Sequence, residues 1–327
     1  MSVQHTRLLE TIGRLSDANR RHRDAAIEQE LAVLRHAAWS EVGRPEPQGE
    51  WPPVGPDVLG EITGLPDLPY SDVTPDVLRS AVFQHGALLA RGMFGPDVVA
   101  RLNADIEATM GFVASLSEGA RLGDAPEWFS PLDVEGFEGV GPMERMWVLK
   151  SGTVWAADSP RTLFDIIEAL ETVGLDELLS AIFGQRPALS VTKFAMRKVP
   201  PDAMGGWHQD GYVLGEDTRT LNVWVALSHC GDEAPGLDVV PRRMDRFVET
   251  AVAPPLDFIV AQETIDELSA ETPIVRPTFE AGDALIFDQF LLHQTGWGPG
   301  LTKPRYGLEC WFFCPSTYPD DLAPLVF

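Results

Sequence analysis

The sequence predicts a mainly β protein with flanking α-helices, in which a helical N-terminal half packs on a β-rich C-terminal half. From Ala188 onward, short apolar runs rich in β-branched and aromatic residues are separated by turn signals, a pattern typical of a β-sandwich or barrel. Before that point, apolar residues recur mainly at helical spacing. The 327 residues, 44% of them hydrophobic, suffice for one large domain or two ordinary ones.

The N-terminal segment predicts an amphipathic helical arm followed by a linker. Residues 4–40 contain few helix breakers and carry apolar residues at helical spacing. This arm could pack on the body of the protein or on a second subunit, so a homodimer is one alternative. Residues 43–56 are rich in Pro and Gly and predict a linker. We therefore expect an arm and linker over residues 1–57 and one main domain over residues 58–327.

The first part of the main domain predicts further helices around a short buried strand. Thr74 can cap a helix whose first turn contains Pro75, and this helix should run to about Gln84. The next run, HGALLARGMF, predicts a turn and a strand. Another helix is expected over residues 96–110, and two short helices are expected from Ser159 onward.

The second part predicts the strands of the core, over about residues 188–316. No internal repeat or low-complexity segment interrupts it. The predicted strands are LSVTKFAMRKV, LNVWVALS, GLDVVP, PIVRPTF, DALIFD and YGLECWFF.

Charge and hydropathy narrow the classes of partner. The net charge is −24, with 25 Lys and Arg against 49 Asp and Glu, a balance that repels nucleic acid and anionic lipid. Mean hydropathy is −0.05 and no apolar run is long enough to span a bilayer. The N-terminus lacks the basic start and apolar stretch of a secretory signal. We expect a cytoplasmic protein that acts on a small molecule, with neither nucleic acid nor membrane as partner.

Two histidines and one aspartate predict a metal site. In GGWHQDGY, His208 and Asp210 are two residues apart and would share one face of an extended segment. In GDALIFDQFLLHQTG, His293 follows an apolar strand far along the chain. Two imidazoles and one carboxylate that leave open positions are typical of non-haem Fe(II) oxygenases, whereas structural zinc takes four protein ligands.

Two residues near His293 predict a second binding element. A His-x-Asp pair alone occurs by chance in many chains, so the interpretation depends on these neighbours. Thr295 can share a face with His293, and Arg305 comes just before the next strand. A planar guanidinium binds both oxygens of a carboxylate, and a hydroxyl can add a further hydrogen bond. Together they suit a co-substrate that carries a carboxylate away from the metal.

These motifs resemble the phytanoyl-CoA dioxygenase family of Fe(II)/2-oxoglutarate-dependent oxygenases. The resemblance covers roughly residues 58–318, and it implies a double-stranded β-helix, the cupin-like jelly roll, with helices packed against one sheet. The residues that carry it are WHQDG, LNVWVAL, APGLDVVP, GDALIFD, the His-x-Thr of His293 and Thr295, and Arg305.

The resemblance also implies a role for each matching residue. The triad would bind Fe(II), while Arg305 and Thr295 would hold the far carboxylate of 2-oxoglutarate. Trp224 matches a position that lines the 2-oxoglutarate pocket, with Asn222 beside it on the same face, and Lys150 matches a basic residue that precedes the barrel. The implied reaction consumes O₂ and 2-oxoglutarate, oxidises a C–H bond of a small organic substrate, most simply by hydroxylation, and releases succinate and CO₂.

The sequence departs from the family pattern after LDVVP. Many relatives carry Gly-Ser-His there, whereas this chain has Arg242, Arg243, Met244 and Asp245. Arg242, Arg243 and the nearby Arg246 could bind an acidic substrate, or they could be solvated loop residues or form ion pairs with nearby acidic residues. The acidic net charge argues against a coenzyme A thioester as substrate. The alternative function is a non-oxygenase cupin-like metal protein, either an isomerase or a carboxylate-binding module, which would need neither Arg305 nor Thr295.

Three residues beside the triad have open roles. Trp207 precedes the first ligand and could form part of the pocket wall. Asp288 and Gln289 precede the last ligand and could orient it from behind.

Overall fold

Helices dominate the first half of the chain and strands the second in the computed structural model, which describes residues 3–42, 44–132, 152–250 and 258–327. None of the helices within these ranges is both long and apolar enough to cross a membrane. The helices are α1 (Val3–Arg21), α2 (Ala25–Val42), α3 (Pro75–His85), α4 (Pro96–Ser117), α5 (Pro160–Thr172), α6 (Leu175–Phe183), α7 (Gly211–Leu214) and α8 (Gln262–Glu271). The strands are β1 (Asp67–Pro69), β2 (Ala87–Arg91), β3 (Thr153–Trp155), β4 (Ala188–Val199), β5 (Thr220–Ala226), β6 (Leu237–Val239), β7 (Ala284–Phe287), β8 (His293–Thr295), β9 (Arg305–Phe313) and β10 (Pro324–Val326).

The strands form one large sheet and one small sheet. The large sheet has the order β1-β2-β7-β5-β9-β4-β10, with β3 attached to β4, and the small sheet pairs β6 with β8. Strands β1 and β2 are parallel, and the other pairs are antiparallel. Strand β5 lies between β7 and β9, which follow it far along the chain, so the core is the jelly roll with flanking helices that the resemblance implied.

The large sheet is buried on both faces. In β5, Leu221, Val223 and Val225 join the apolar cluster that the helices cover. Trp224 belongs to a second apolar cluster on the opposite face, which Asn222 shares because side chains alternate along a strand. This alternation places the polar residues of the central strands inside the jelly roll.

The N-terminal arm is two helices instead of the one continuous helix that residues 4–40 predicted. The break comes at Asp24, whose Oδ1 accepts hydrogen bonds from the backbone N–H groups of Ala26 at 2.9 Å and Ile27 at 3.2 Å, and so caps α2. The arm packs on the body, where Arg35 donates to the carbonyl of Val326 at 2.9 Å. Residues 44–56 carry no helix or strand.

The remaining elements show which local sequence signals were sufficient to predict a helix or a strand. Thr74 caps α3 by accepting from the N–H of Val77, as predicted. Helix α4 continues to Ser117, beyond the predicted end. The strand predicted for PIVRPTF is wrong, because this segment makes isolated bridges only, from Val275 to Val239 and from Phe279 to Cys230. Its two prolines lack the N–H group that a ladder requires. The short elements that the sequence did not predict are β1, β3, β10, α7 and α8.

Candidate active site

The two histidines of the candidate site are backbone partners. The N–H of His208 donates to the carbonyl of His293 at 2.9 Å, and the N–H of His293 donates to the carbonyl of His208 at 3.1 Å. This isolated antiparallel bridge lies beside the β6–β8 pair. Two residues that are far apart in the sequence therefore project their imidazoles from adjacent backbone positions, with ring centroids 4.5 Å apart.

Each imidazole is oriented in the same way. Nδ1 of His208 lies 2.7 Å from the carbonyl of Gly206, and Nδ1 of His293 lies 3.1 Å from the carbonyl of Leu291. A carbonyl oxygen can only accept, so Nδ1 carries the proton and Nε2 presents its lone pair. The arrangement fixes the tautomer that a metal ligand requires.

Asp210 completes a donor set suited to one ion. Its two oxygens lie 4.0 Å from Nε2 of His208 and 3.5 Å from Nε2 of His293. All three ligand atoms lie within 4.8 Å of one another. Ligands bonded at about 2.1 Å to one ion lie roughly 3–4 Å apart, so small side-chain rotations would bring these atoms onto a shared metal.

The local backbone at Asp210 differs from the extended segment that the sequence suggested. Asp210 has a right-handed helical conformation and immediately precedes α7. The turn fits tightly, because a Cβ on Gly211 would lie 2.3 Å from Cε1 of Phe247, and the N–H of Gly211 donates to the carbonyl of Gln289 at 3.0 Å. The shared face predicted for His208 and Asp210 thus arises from a turn after a bridge.

Burial favours the neutral form of His293. It lowers the pKa of this imidazole, and the neighbouring His208 lowers it further, although the Asp210 carboxylate opposes both effects. A neutral imidazole is the form that binds a metal.

Arg305 lies fully buried at one end of the same cavity. Its Nη1 donates to the carbonyls of Pro235 at 3.1 Å and Gly236 at 2.9 Å, and its Cζ lies 5.1 Å from the centre of the Trp224 ring. Its Nε and Nη2 are buried and have no hydrogen-bond partner among the described residues. Burial lowers its pKa to about 10, so the guanidinium stays charged at neutral pH. A buried cation with two donors that lack partners strongly favours the binding of an anionic ligand.

One cavity joins the imidazoles of His208 and His293 to Arg305. Its empty volume is about 330 Å³, including its open mouth. It contains the residues that the sequence selected for the co-substrate, except Lys150, which lies outside the described residues. The buried Oδ1 of Asn222 also has no hydrogen-bond partner among the described residues. The cavity is lined by Arg197, His208, Asn222, Trp224, Leu237, Phe287, His293, Thr295, Arg305 and Glu309.

Sequence reasoning missed two charged residues of this cavity. Nη1 of Arg197, in β4, lies 2.8 Å from Oε2 of Glu309, in β9. Glu309 interrupts an otherwise apolar strand run and shares the face of Arg305 at even spacing. That spacing was a usable signal for Glu309. Arg197 required the register between the two strands.

The neighbours of the triad have roles other than those predicted. Trp207 packs in an apolar cluster with Val240 and Phe290, and it does not line the cavity. Among the described residues, neither Asp288 nor Gln289 hydrogen-bonds to the triad. Asp288 instead pairs with Arg243.

The loop of residues 242–245, which stands where many relatives carry Gly-Ser-His, is held by ion pairs. Arg243 lies between Asp288 and the rings of Phe83 and Phe290, at 5.8 Å and 5.1 Å from their centres. Arg242 pairs with Glu271 at 3.0 Å. These contacts favour a structural role for both arginines over binding of an acidic substrate.

Gln209 holds the loop from the other side and is a further residue that the sequence did not single out. Its amide hydrogen-bonds to the carbonyl of Phe290 and to the N–H of Val248.

Comparison with known proteins bears on both fold and family. EctD from S. alaskensis, solved with 2-oxoglutarate and 5-hydroxyectoine, aligns at a TM-score of 0.53 with 17% identity over 84% of this chain and 87% of that chain. AviO1 from Streptomyces viridochromogenes Tue57 aligns at a TM-score of 0.44 with 20% identity, over 72% of this chain and 93% of that chain. The epimerase SnoN, solved with Fe³⁺, alpha-ketoglutarate and nogalamycin RO, aligns at 0.45 with 16% identity, over 70% of this chain and 79% of that chain.

The similarity to EctD supports the jelly-roll fold. A comparison with curated proteins gave no match. The family model described as phytanoyl-CoA dioxygenase (PhyH) matches residues 83–297, more than half of the 327-residue chain. The chain therefore belongs to the phytanoyl-CoA dioxygenase family.

Proposed function

We propose that this protein is an Fe(II)- and 2-oxoglutarate-dependent dioxygenase that hydroxylates a C–H bond of a small organic molecule. The observation that carries the proposal is one cavity lined both by the two histidines of a His-Asp-His donor set and by a buried guanidinium whose Nε and Nη2 lack partners among the described residues. A 2-oxo acid can chelate a metal at one end only. A second carboxylate, at the other end, would satisfy Arg305.

The residues of the cavity would divide the binding between them. The triad, His208, Asp210 and His293, would hold Fe(II) and leave positions for other ligands. Arg305, with the hydroxyl of Thr295, would hold the distal carboxylate of 2-oxoglutarate. Bound iron and 2-oxoglutarate supply the oxidising power, since they reduce O₂ with release of succinate and CO₂.

The protein's own part is to orient the reactants and exclude water. Trp224, 3% exposed, lies against the Arg305 guanidinium and keeps it aimed into the cavity. Leu237 and Phe287 form an apolar wall between the two ends. Because Asp210 occupies the place that a halide would need on the metal, hydroxylation is favoured over halogenation.

Reconstitution tests the proposal directly. Purified protein with Fe(II), ascorbate and 2-oxoglutarate should form succinate slowly even without substrate, and Asp210→Ala should abolish it. Adding 2-oxoglutarate anaerobically to the Fe(II) form should produce a weak visible charge-transfer band. A metal-binding isomerase or carboxylate-binding module would give neither signal. Absence of both signals in metal-loaded wild-type protein would refute the oxygenase assignment.

A further inference from the structure

Arg197 and Glu309 form an ion pair inside the jelly roll. Strand register pairs Arg197 with Gly307 and Ala195 with Glu309, so the two charged side chains are diagonal neighbours on the inner face. Their side chains are 23% and 26% exposed, and both line the cavity that contains Arg305. The charges of an ion pair at this position can therefore change the affinity of the cavity for a charged ligand.

The pair is electrostatically coupled to the Arg305 end of the site. The pKa of Arg305 is lowered chiefly by burial and then by the charge of Arg197, while Glu309 raises it. Burial raises the pKa of Glu309, but the charge and hydrogen bond of Arg197 outweigh this effect, with a smaller contribution from Lys193. Glu309 is therefore ionised and cancels a second guanidinium that would otherwise act beside Arg305.

The charge count of the site shows what this cancellation achieves. A ferrous ion brings two positive charges, Asp210 removes one, neutral imidazoles add none, and Arg305 adds one. The cavity then carries two positive charges, which match the two negative charges of 2-oxoglutarate. The match holds only while the charges of Arg197 and Glu309 balance.

We propose that Arg197 and Glu309 are positioning residues that set the net charge of the co-substrate cavity to match a dianionic 2-oxo acid, an inference that rests on the proposed function. Arg197→Met would leave the carboxylate of Glu309 uncompensated, and it would weaken binding of 2-oxoglutarate. Glu309→Gln would leave the Arg197 cation uncompensated, so both 2-oxoglutarate and succinate would bind more tightly. In the double variant the two charges are absent together, and affinity should return towards that of the wild type.

The size of each effect follows from Coulomb's law. A unit charge about 6 Å from another, at an effective dielectric constant of about 20, changes a dissociation constant by roughly 100-fold, and exposure of the pair reduces this. We therefore expect a change of about tenfold or more for each single variant. Tighter binding of succinate should also lower kcat for Glu309→Gln, because product release becomes slower, whereas Arg197→Met should mainly raise the KM for 2-oxoglutarate.

The test is a double-mutant cycle read by binding. Calorimetric titration of 2-oxoglutarate and of succinate into Ni(II)-loaded protein measures affinity without turnover. The matched control is Lys198→Met, which removes one positive charge from the next residue of β4. Lys198 is partly exposed on the opposite face, where it pairs with Glu107 at 2.8 Å. This control should bind 2-oxoglutarate as the wild type does.

Opposite shifts for the two single variants, cancelled in the double variant, would support the proposal. Equal affinities in all variants, or weaker binding in both single variants, would overturn it while leaving the proposed function intact. Failure of metal-loaded wild-type protein to bind 2-oxoglutarate would instead refute the proposed function, and the inference with it. If Arg197→Met does not fold, Glu309→Gln alone decides by its sign, since weaker binding contradicts the charge balance.

Discussion

Gln209 is the residue whose removal should reveal how the metal site is supported. It lies between two of the proposed ligands in the sequence and is 1% exposed. Its Nε2 donates to the carbonyls of Phe290 at 2.8 Å and Arg246 at 3.2 Å, and its Oε1 accepts from the N–H of Val248 at 2.7 Å. One side chain thus joins the segment of His208 and Asp210 to two other segments.

We predict that Gln209→Met destabilises the protein and weakens metal binding. Methionine keeps the volume of the side chain but leaves the N–H of Val248 and the carbonyl of Phe290 without their partner. Buried groups left unsatisfied cost about 1–3 kcal/mol each, so the free energy of unfolding should fall by about 2–6 kcal/mol. Because the ligand-bearing segment would lose its support, metal affinity should fall by roughly 10- to 100-fold.

Two measurements check this prediction. Urea unfolding of the metal-free protein gives the change in stability, and anaerobic titration with Fe(II) gives the change in affinity. Gln262→Met is the matched control, since Gln262 is exposed and its amide donates to Asp266 of its own helix, at 2.8 Å. If Gln209→Met differed from this control in neither stability nor metal affinity, the supporting role of Gln209 would be wrong.

Three other substitutions test separate parts of the site. Arg305→Gln should raise the dissociation constant for 2-oxoglutarate about 30-fold or more, because a buried charge pair is lost, while the affinity for Mn(II) stays unchanged. Calorimetry measures both affinities. An unchanged affinity for 2-oxoglutarate would contradict this prediction. Gly205→Ala places a Cβ 2.4 Å from the carbonyl oxygen of Thr295, so the free energy of unfolding measured in urea should fall by about 1–3 kcal/mol. In the control Gly13→Ala, where nothing lies within 4 Å of the added Cβ, it should not fall. Burial raises the pKa of Asp288 to about 6, so the native state binds this proton more tightly than the unfolded chain, and the stability it contributes at low pH is lost as pH rises through about 6. Asp288→Asn should remove that decline between about pH 4 and 6, and a parallel pH profile of unfolding free energy for both proteins would refute this.

The proposed iron ligands could be identified from sequence because their signals are local. The run WHQDG places two of them within three residues, and the His-x-Thr pair follows an apolar strand. The paired glycines before His208 also had a physical cause, because the backbone there approaches Thr295 and Ile259 too closely for a side chain. Arg305 was recognisable as a lone cation at the start of an apolar strand.

The remaining parts of the site depend on pairing that no local pattern encodes. The ladder between β4 and β9 contains an irregularity between Leu189 and Phe194, which shifts the alternation of faces along β4. Counting alternate residues from the start of β4 therefore places the side chain of Arg197 on the helix-covered face, whereas it lies on the inner face of the jelly roll. The contacts of Gln209 and Asp288 likewise involve a loop far along the chain. The strand predicted for PIVRPTF was wrong for a local reason. Its apolar pattern is that of a strand, but its prolines cannot donate the hydrogen bonds that a ladder requires.

The orientation of the two histidines depends on backbone atoms, which separates it from the side chains that would bind the co-substrate. In both, Nδ1 meets the carbonyl two residues earlier, at Gly206 and Leu291, and the two residues bridge each other through main-chain hydrogen bonds. Because these are main-chain contacts, the orientation of the two imidazoles does not depend on the side chains that line the rest of the cavity. Residues that act only through side chains in the cavity can change without disturbing that arrangement. Under the proposed function, the residues best placed to alter co-substrate affinity at constant metal geometry are therefore Arg197, Asn222 and Glu309.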